Sequence, residues 1–363
     1  MKILYADLER EWRGGQSQAL LTVGGIKQQG QQVDLLAVKN SPLAERAFDS
    51  GIKVHQIGRL GMRIQAAGEF RRLIPRGGYD LIHLNEPHAL TSAWLAKSHR
   101  NVPLLISRRI GFPLKKNPLS RARYAAIERF VASSETVAQS LMDCGITADR
   151  ISIVNEGVQV PPPFTMEERI KARQYWGIKE DEILFGCVSV FVPEKGQRHL
   201  IEALPAVRAV YPGVRLLLAG DGACRESLES LTKQLGQTDA VLFPGFVNQV
   251  DRVYAALDAY VFPSEFEGLG TALLVAMAVG LPCISTKRGA LREVVDHGRT
   301  ALVAEPDGKE FAAAMLKLIG DKSLQESIGK ASRHEIEQRF SAERMVANTI
   351  RVYEDVLRKR RTA

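Results

Sequence analysis

Short apolar runs alternate with longer amphipathic stretches along nearly the whole chain. Apolar runs of this length are typical of strands buried in a parallel sheet, and the stretches between them are typical of helices that cover it. In the first half the pattern predicts a helix over 16–29 and strands over 2–6, 32–37, 53–57, 81–84, 104–107, 130–132 and 151–154. The expected fold is therefore a parallel sheet flanked by helices.

The second half repeats this pattern from the beginning. It predicts a helix over 198–210 and strands over 183–190, 215–219, 240–243, 259–262, 282–285 and 301–303. Repetition of a whole α/β unit, rather than of a short solenoid period, favours two similar domains. Ligands of open parallel sheets bind beyond the carboxyl ends of the strands. We therefore expect two doubly wound, Rossmann-like domains that face a common cleft.

Length and proline content suggest where the domains end. A chain of 363 residues exceeds the size at which one core usually stops growing. Pro161-Pro162-Pro163 cannot continue a helix or a central strand, so it marks a stiff connection. We predict an N-terminal domain over 1–160, a linker over 161–180, a second domain over 181–340, and a C-terminal helix over 341–363 that packs back across both domains.

The charge balance favours an anionic partner. The formal net charge is +8, and much of the excess lies in segments 108–123 and 358–361. Nucleic acid, an anionic membrane or a phosphorylated substrate would each fit. A solvated basic face explains the C-terminal run equally well.

Cysteine spacing and hydropathy exclude several classes of protein. The four cysteines include no close pair, so they form neither a zinc knuckle nor a disulfide framework. The chain contains no apolar run of about 18 residues that would span a bilayer, and its first residues lack the features of a secretory signal. We expect a cytoplasmic protein.

The usual nucleotide-binding fingerprints are missing. The sequence contains no P-loop, and Gly268-Leu269-Gly270 continues as Thr271-Ala272-Leu273, which breaks the dinucleotide pattern. Because there is also no Asp-x-Asp clamp for a metal-bound diphosphate, we expect no metal site. A nicotinamide oxidoreductase is disfavoured.

Two glycine-rich loops nevertheless precede predicted helices, one in each half. Gly14-Gly15 lies before the helix of 16–29, and Gly268-Leu269-Gly270-Thr271 opens a helix over 272–279. A helix N-terminus presents unpaired N–H groups, and glycine allows a diphosphate to approach the backbone. Lys195, after the first strand of the second half, adds a cation for a leaving diphosphate. Together these features predict a phosphate-bearing ligand.

An ordered series of short motifs runs along nearly the whole chain. Its segments are Gly14-Gly15, 83–88 (HLNEPH), 150–158 (RISIVNEGV), 193–196 (PEKG), 216–222 (LLLAGDG), 243–250 (FPGFVNQV) and 263–282 (PSEFEGLGTALLVAMAVGLP). The series resembles that of the retaining, metal-independent glycosyltransferases of family 4, which have the GT-B fold, and the likeness is closest in the second half.

The resemblance implies roles for individual residues in donor binding and catalysis. Glu267 would accept hydrogen bonds from donor-sugar hydroxyls beside Gly268, and Lys195 would neutralise the diphosphate. Glu267 and Lys195 are thus the implied catalytic residues. The implied diphosphate contacts are Gly14, Gly15, Lys195, Leu269, Gly270 and Thr271, and the implied nucleobase contacts are Gly245, Phe246 and Val247.

Two positions depart from the family pattern. Val190 stands where an arginine would share the diphosphate charge, and Val275 stands where a ribose-binding carboxylate is expected. A charge-assisted hydrogen bond typically contributes about 1.5–3 kcal/mol. The two departures therefore predict weaker donor binding unless other residues compensate.

The resemblance also suggests an acceptor side in the first domain. Arg108 and Arg109 occupy the region where some members place a functional histidine, and an arginine pair suits a phosphorylated or carboxylated acceptor. Glu86, His83 and His88 are further candidates, although a histidine at a strand end is more often structural. Trp12 either lines the acceptor side or anchors the Gly14-Gly15 loop.

The leading hypothesis is an enzyme that transfers a hexose-type sugar from a nucleotide donor, with a UDP-sugar favoured, to a glycan or lipid-linked acceptor of the cell envelope. It needs no cofactor or metal and binds no nucleic acid, and its basic residues would contact the anionic inner leaflet. Val190 and Val275 motivate a second hypothesis, a catalytically degenerate nucleotide-binding or partner module. A sugar-nucleotide epimerase with the same fold is the third.

Overall fold

The computed structural model describes residues 1–111, 113–115 and 117–362, and the chain forms two compact units. Unit 1 comprises Met1–Gly157 together with Ser341–Ala363, and unit 2 comprises Val158–Phe340. The C-terminal segment, predicted to pack across both domains, thus belongs to unit 1. No helix in the described part of the chain is long and apolar enough to cross a membrane.

Unit 1 is built on a seven-stranded parallel sheet in the order β3-β2-β1-β4-β5-β6-β7. Its strands are Lys2–Asp7 (β1), Gln32–Val38 (β2), Lys53–Ile57 (β3), Leu81–Leu84 (β4), Leu104–Arg108 (β5), Arg129–Ala132 (β6) and Ile151–Ile153 (β7). The sheet has two buried faces, since the adjacent residues Leu4 and Tyr5 of β1 belong to different apolar clusters. Burial on both faces explains the nearly continuous apolar runs of the sequence.

Helices cover both faces of this sheet. They are Gly14–Gln28 (α1), Pro42–Asp49 (α2), Met62–Gly77 (α3), Pro87–Leu95 (α4), Pro118–Ala125 (α5) and Glu135–Asp143 (α6). Phe70 of α3 and Leu90 of α4 pack on one face, and Val23 of α1 packs on the other.

Unit 2 contains a six-stranded parallel sheet in the order β10-β9-β8-β11-β12-β13. Its strands are Ile183–Val188 (β8), Val214–Ala219 (β9), Val241–Gly245 (β10), Ala259–Phe262 (β11), Cys283–Ser285 (β12) and Leu302–Val303 (β13). Its helices are Met166–Tyr175 (α7), Gln197–Val210 (α8), Arg225–Gln234 (α9), Asp251–Ala256 (α10), Thr271–Ala278 (α11), Gly308–Gly320 (α12) and Lys322–Glu335 (α13). Helix α7 lies within 161–180, the segment predicted as a linker.

The C-terminal helix, Ala342–Thr362 (α14), packs on the sheet of unit 1 through a buried tyrosine. The hydroxyl of Tyr353 lies 2.5 Å from Nδ1 of His83 on β4, and Nε2 of the same imidazole lies 2.7 Å from the hydroxyl of Ser107 on β5. Burial, together with the positive charge of Arg109, lowers the pKa of His83 to about 3. His83 is therefore a neutral, structural residue of the core.

This buried histidine predicts a loss of stability in acid. Its pKa is about 3 in the folded chain and 6.5 ordinarily, so between these values the unfolded state binds a proton that the folded state does not. The free energy of unfolding should therefore fall as pH falls through this window, by about 2 kcal/mol at pH 5 from this group alone. Urea unfolding at pH 7 and pH 5 measures the loss.

The matched control for this prediction is His83→Gln, which has no titrating ring. Its unfolding free energy at pH 7 should be lower than that of the wild type, but its further loss between pH 7 and pH 5 should be smaller by about 2 kcal/mol. An equal acid-dependent loss in the two proteins would contradict this role of His83.

In each sheet the strand order reverses direction at one point, and this point locates the candidate site of that unit. The reversal lies between β1 and β4 in unit 1 and between β8 and β11 in unit 2. Loops that leave such neighbouring strands in opposite directions open a crevice at the carboxyl ends of the strands. The site residues are therefore expected just after β1, β4, β8 and β11.

Candidate functional site

In unit 2 an ion pair lies directly beyond the strand reversal. Lys195 ends a short 3-10 turn after β8, and Glu267 lies in the loop after β11. The Lys195 ammonium contacts a carboxylate oxygen of Glu267, and the two side chains are only 20% and 10% exposed. The topology thus brings together two predicted catalytic residues that are 72 positions apart in the sequence.

The two loops that carry this pair are fastened to each other. The N–H of Glu265 donates to the carbonyl oxygen of Glu194 at 2.8 Å, and the Ser264 hydroxyl donates to the same oxygen at 3.3 Å. The hydroxyl of Thr286, after β12, donates to the carbonyl oxygen of Ser264. This bonding holds the Lys195 and Glu267 backbones in a fixed arrangement.

Gly196 is required where these loops meet. Its φ is +67°, and a Cβ atom there would lie 2.4 Å from the carbonyl oxygen of Pro263. We expect Gly196→Ala to lower the free energy of unfolding by about 2 kcal/mol or more, because it adds a steric overlap to the backbone strain. Gly236→Ala is the matched control, since Gly236 has a φ of +66° and no atom within 4 Å of a Cβ position.

Urea unfolding of the two variants separates the cost of the steric overlap from the cost of the backbone strain. Gly236→Ala should lose only the strain of the left-handed conformation, about 1–2 kcal/mol. If the two variants lose the same free energy of unfolding, the close approach of Gly196 to the Pro263 carbonyl oxygen does not constrain the loops.

The glycine-rich loop of unit 2 leads into α11 as predicted. Gly270 has a φ of +85° and no side chain to cap the helix, and α11 begins at Thr271. Leu269 is buried, so its side chain anchors the loop in the core. A helix start of this kind offers backbone N–H groups and a partial positive charge to an anion.

The predicted nucleobase contacts lie at the end of β10. Gly245 is the last residue of this strand, and its carbonyl oxygen accepts from the N–H of Gly220 at 2.8 Å. Phe246 follows with 62% of its surface exposed, and Val247 packs at the edge of the core. An exposed aromatic ring on a held turn is suited to stacking against a planar base.

The two valines that depart from the family pattern lie in different surroundings. The Val190 side chain is half exposed, and its carbonyl oxygen accepts from the Gln197 amide at 3.0 Å. Val275 packs against the apolar core of unit 2 from α11. Neither position brings a charged group to the site.

In unit 1 the Gly14-Gly15 pair forms the start of a helix rather than a loop before it. The predicted helix start was Gln16, but α1 begins at Gly14. A Cβ atom at Gly15 would meet nothing within 4 Å. The packing of unit 1 therefore does not require glycine at this position. A ligand that approaches the backbone closely would require it.

Trp12 anchors the segment that leads to this helix. The Arg46 guanidinium stacks over the Trp12 ring at 3.8 Å from its centroid, and the indole packs at the edge of the core. Of the two roles considered for Trp12, the structure of unit 1 supports that of an anchor.

A buried polar network, which the sequence reasoning missed, connects β1, β4 and α1. Asp7, which is fully buried, accepts from the Asn85 amide at 2.6 Å and from the Gln16 amide at 3.0 Å. The Asn85 amide also donates to the carbonyl oxygen of Gly15 at 3.2 Å. The network thus positions the start of α1. Its only sequence signal is a polar residue at the end of each of two neighbouring strands.

Arg109 joins the same network. Its guanidinium donates to Asn85 Oδ1 at 2.6 Å and lies 3.4 Å from a carboxylate oxygen of Glu156. Arg108 points into a buried environment, and that burial lowers its pKa. The two predicted acceptor arginines are therefore largely engaged within unit 1.

Glu86 and His88, also predicted for the acceptor side, are held at the start of α4. Glu86 caps this helix and accepts backbone N–H groups from Leu8 at 3.2 Å and Ala89 at 2.7 Å, and from His88. Burial and the negative charge of Asp7 raise the pKa of Glu86 to about 8, despite these donors.

The imidazole of His88 is bonded to a neighbouring arginine. Its Nδ1 accepts from the Arg63 guanidinium at 2.7 and 3.0 Å, and its Nε2 lies 3.9 Å from a carboxylate oxygen of Glu9. Glu9, Glu86 and His88 each place a ligand-type atom within 4.8 Å of the others. Because the Arg63 cation adjoins this cluster, it is poorly suited to a metal ion.

Comparison with known proteins matches both halves of the chain. The model described as Glycosyltransferase Family 4 covers residues 12–160, and the model described as Glycosyl transferases group 1 covers residues 168–335. The chain spans from about half to about four fifths of the length of the curated relatives it matches.

Two relatives and one solved structure illustrate the likeness. N-acetyl-alpha-D-glucosaminyl L-malate synthase of Bacillus anthracis is 28% identical over 80% of this chain and 79% of its own length. D-inositol 3-phosphate glycosyltransferase of Geodermatophilus obscurus is 30% identical over 76% of this chain and 66% of its own length. The crystal structure of Anabaena HepE in complex with UDP and glucose has a TM-score of 0.84 at 21% identity, and covers 98% of this chain and all of its own.

Proposed function

The chain belongs to the group 1 glycosyltransferases of the GT-B fold, and from this we propose that it is a retaining, metal-independent hexosyltransferase with a nucleotide-sugar donor. The observation that carries the proposal is the partly buried Lys195–Glu267 pair at the strand reversal of unit 2. We favour a UDP-sugar, because the structural relative HepE is described in complex with UDP and glucose.

Each charged group of the pair suits one part of such a donor. The Lys195 ammonium would neutralise the diphosphate as its bond to the anomeric carbon breaks, together with the helix start at Gly270 and Thr271. The Glu267 carboxylate would accept hydrogen bonds from sugar hydroxyls. Donor binding would then exchange the Lys195–Glu267 contact for contacts to the two ends of the same ligand.

We propose that the configuration of the anomeric carbon is retained because the acceptor attacks from the face from which the diphosphate departs. In that reaction the anomeric C–O bond to the diphosphate breaks and the diphosphate leaves with the electron pair. The acceptor oxygen forms the new bond on the same side, and its proton passes to the departing diphosphate oxygen. This route requires no carboxylate nucleophile. It therefore fits a site whose central carboxylate, Glu267, is paired with Lys195.

The acceptor is proposed to be an anionic glycan or a lipid-linked molecule of the cell envelope. The names of the two relatives include L-malate and inositol 3-phosphate, which are both anions. Arg109 is one candidate cation, although it would have to exchange the Asn85 oxygen for the acceptor. A lipid-linked acceptor would place the enzyme at the inner face of the cell membrane.

The test of the donor is a thermal-shift screen with the diphosphates of uridine, guanosine and adenosine and their sugars, at millimolar concentration with EDTA present. We expect at least one to raise the melting temperature, because a ligand that binds only the folded state stabilises it by mass action. If none does so, the donor site is misassigned.

A turnover assay with the best donor then separates the enzyme from the alternatives. Transfer or donor hydrolysis that Glu267→Ala abolishes supports the proposal. Binding without any turnover would indicate a degenerate module, in line with Val190 and Val275. Isomerised donor in the absence of acceptor would indicate an epimerase.

A further inference from the structure

One side of unit 1 displays aliphatic side chains to solvent at the start of α3. Leu60 is 90% exposed and Ile64 is 76% exposed, more than any other large hydrophobic side chain described. Leu60 precedes Gly61, the left-handed residue before α3, and Ile64 lies in the first turn of this helix, so both belong to the segment that starts α3. We call Leu60, Ile64 and the exposed arginines Arg59, Arg63 and Arg71 the α3 surface.

The exposure of Leu60 results from a held turn rather than from a frayed loop. The side chain of Gln65 accepts from the N–H of Gly58 at 2.8 Å and donates to the carbonyl oxygen of Leu60 at 2.5 Å. Gly61 continues the turn in the left-handed conformation, with a φ of +61°, and caps α3. The local bonding therefore fixes Leu60 in its outward position.

The charges around these aliphatic groups are strongly positive. Residues 59–76 contain five arginines and one glutamate. Arg71 lies seven residues after Ile64, and thus two turns further along the same helix face, and its guanidinium also donates to the Leu95 carbonyl oxygen at 2.9 Å. Aliphatic side chains surrounded by arginines are suited to the boundary between anionic headgroups and acyl chains.

This surface adjoins the candidate acceptor residues of unit 1. Arg63 belongs to it and at the same time donates to Nδ1 of His88 at 2.7 and 3.0 Å. His88 in turn follows Glu86 at the start of α4. A molecule held at the α3 surface by its lipid would therefore present its headgroup next to the predicted acceptor side.

We propose that the α3 surface docks unit 1 on an anionic lipid bilayer. The proposal rests on the proposed function, because it assigns the lipid-linked acceptor to a specific face. A second copy of the chain is a poorer occupant, since a stable dimer usually buries about 800 Å² per partner and two aliphatic side chains supply only a small part of that area. The basic segment 108–123, considered first from the sequence, is not needed for this docking.

Sedimentation of the full chain with vesicles tests the proposal. We expect the wild type to bind vesicles of phosphatidylglycerol and phosphatidylcholine at least tenfold more tightly than vesicles of phosphatidylcholine alone. The variant Leu60→Ser/Ile64→Ser should bind the anionic vesicles about tenfold more weakly, and Arg71→Gln about fivefold more weakly. All of these side chains are exposed, so the melting temperatures should change little.

The matched control lies on unit 2. Met166 and Ile170 are also exposed aliphatic residues one turn apart on a helix, α7. The variant Met166→Ser/Ile170→Ser should bind anionic vesicles as the wild type does. Equal weakening in both double variants would overturn the proposal, because it would show that any exposed aliphatic pair has the same effect.

Other outcomes would also overturn it. These are equal binding of the wild type to both kinds of vesicle, unchanged binding of Leu60→Ser/Ile64→Ser, or light scattering that shows a wild-type dimer that this variant dissociates. Donor hydrolysis in solution distinguishes these failures from failure of the proposed function. If Leu60→Ser/Ile64→Ser hydrolyses donor as the wild type does but binds vesicles unchanged, the docking surface is wrong and the proposed function stands.

Discussion

Glu267→Ala is expected to lower kcat/KM for sugar transfer by about 100- to 1000-fold. The carboxylate lies at the strand reversal of unit 2, is only 10% exposed and contacts Lys195. Its removal leaves the Lys195 ammonium without its partner, and in the proposed reaction it would also eliminate the acceptor for the sugar hydroxyls. Steady-state kinetics with the donor from the thermal-shift screen measures the effect.

Glu265→Ala is the control for this variant. Glu265 lies two residues away and is half exposed, and its carboxylate is 3.5 Å from the His199 imidazole rather than at Lys195. Its activity should remain within about threefold of the wild type, as for other surface substitutions. Comparable activity in Glu267→Ala and Glu265→Ala would remove Glu267 from the reaction.

Gly15→Val is expected to lower kcat/KM by about 100-fold while leaving the fold intact. A Cβ atom at Gly15 would meet no atom within 4 Å, so a side chain can start there without a clash. It would occupy the space through which a diphosphate approaches the backbone. The loss should appear mainly in KM for the donor, and the melting temperature should change by no more than a few degrees.

Gly24→Val provides a control on the same helix. Gly24 also lies on α1, and a Cβ atom there likewise meets nothing within 4 Å. Both variants add a valine to α1 where a Cβ atom meets nothing, so a difference in kcat/KM between them reports on the position of Gly15. If the two variants have the same kcat/KM, Gly15 has no part in donor binding.

The sequence was sufficient to predict the sheets and to name Lys195 and Glu267 as candidate site residues. Buried parallel strands produce apolar runs that are visible without any structure, and residues that follow neighbouring strands meet at one edge of the sheet. The resemblance to a known family then singled out Lys195 and Glu267 among those residues. Their direct contact, 72 positions apart, was not predicted, because it depends on side-chain conformations.

The polar network of unit 1 could not be predicted in the same way. Arg109 bonds to Asn85 because of its side-chain conformation and the relative positions of β4 and β5. The spacing of apolar residues in the sequence does not report either of these. Glu86 is an instructive case, because the following Pro87 is typical of the first position of a helix. The structure shows Glu86 capping that helix, whereas from the sequence it was considered only for the acceptor side.

The position of α14 was equally inaccessible to pattern reasoning. An amphipathic helix must bury its apolar face, but the pattern does not say against which sheet. The buried contact of Tyr353 with His83 places α14 on unit 1. Nothing in the sequence indicates that this tyrosine and this histidine form a pair.

Hydrogen exchange of the backbone amides, measured with and without the best UDP-sugar, tests the donor site most directly. We expect slower exchange in the segments around Lys195-Gly196 and Glu267-Gly268-Leu269-Gly270-Thr271, where the donor would contact unit 2. Binding of the donor with no change in either segment, or with slower exchange only elsewhere in the chain, would contradict this expectation.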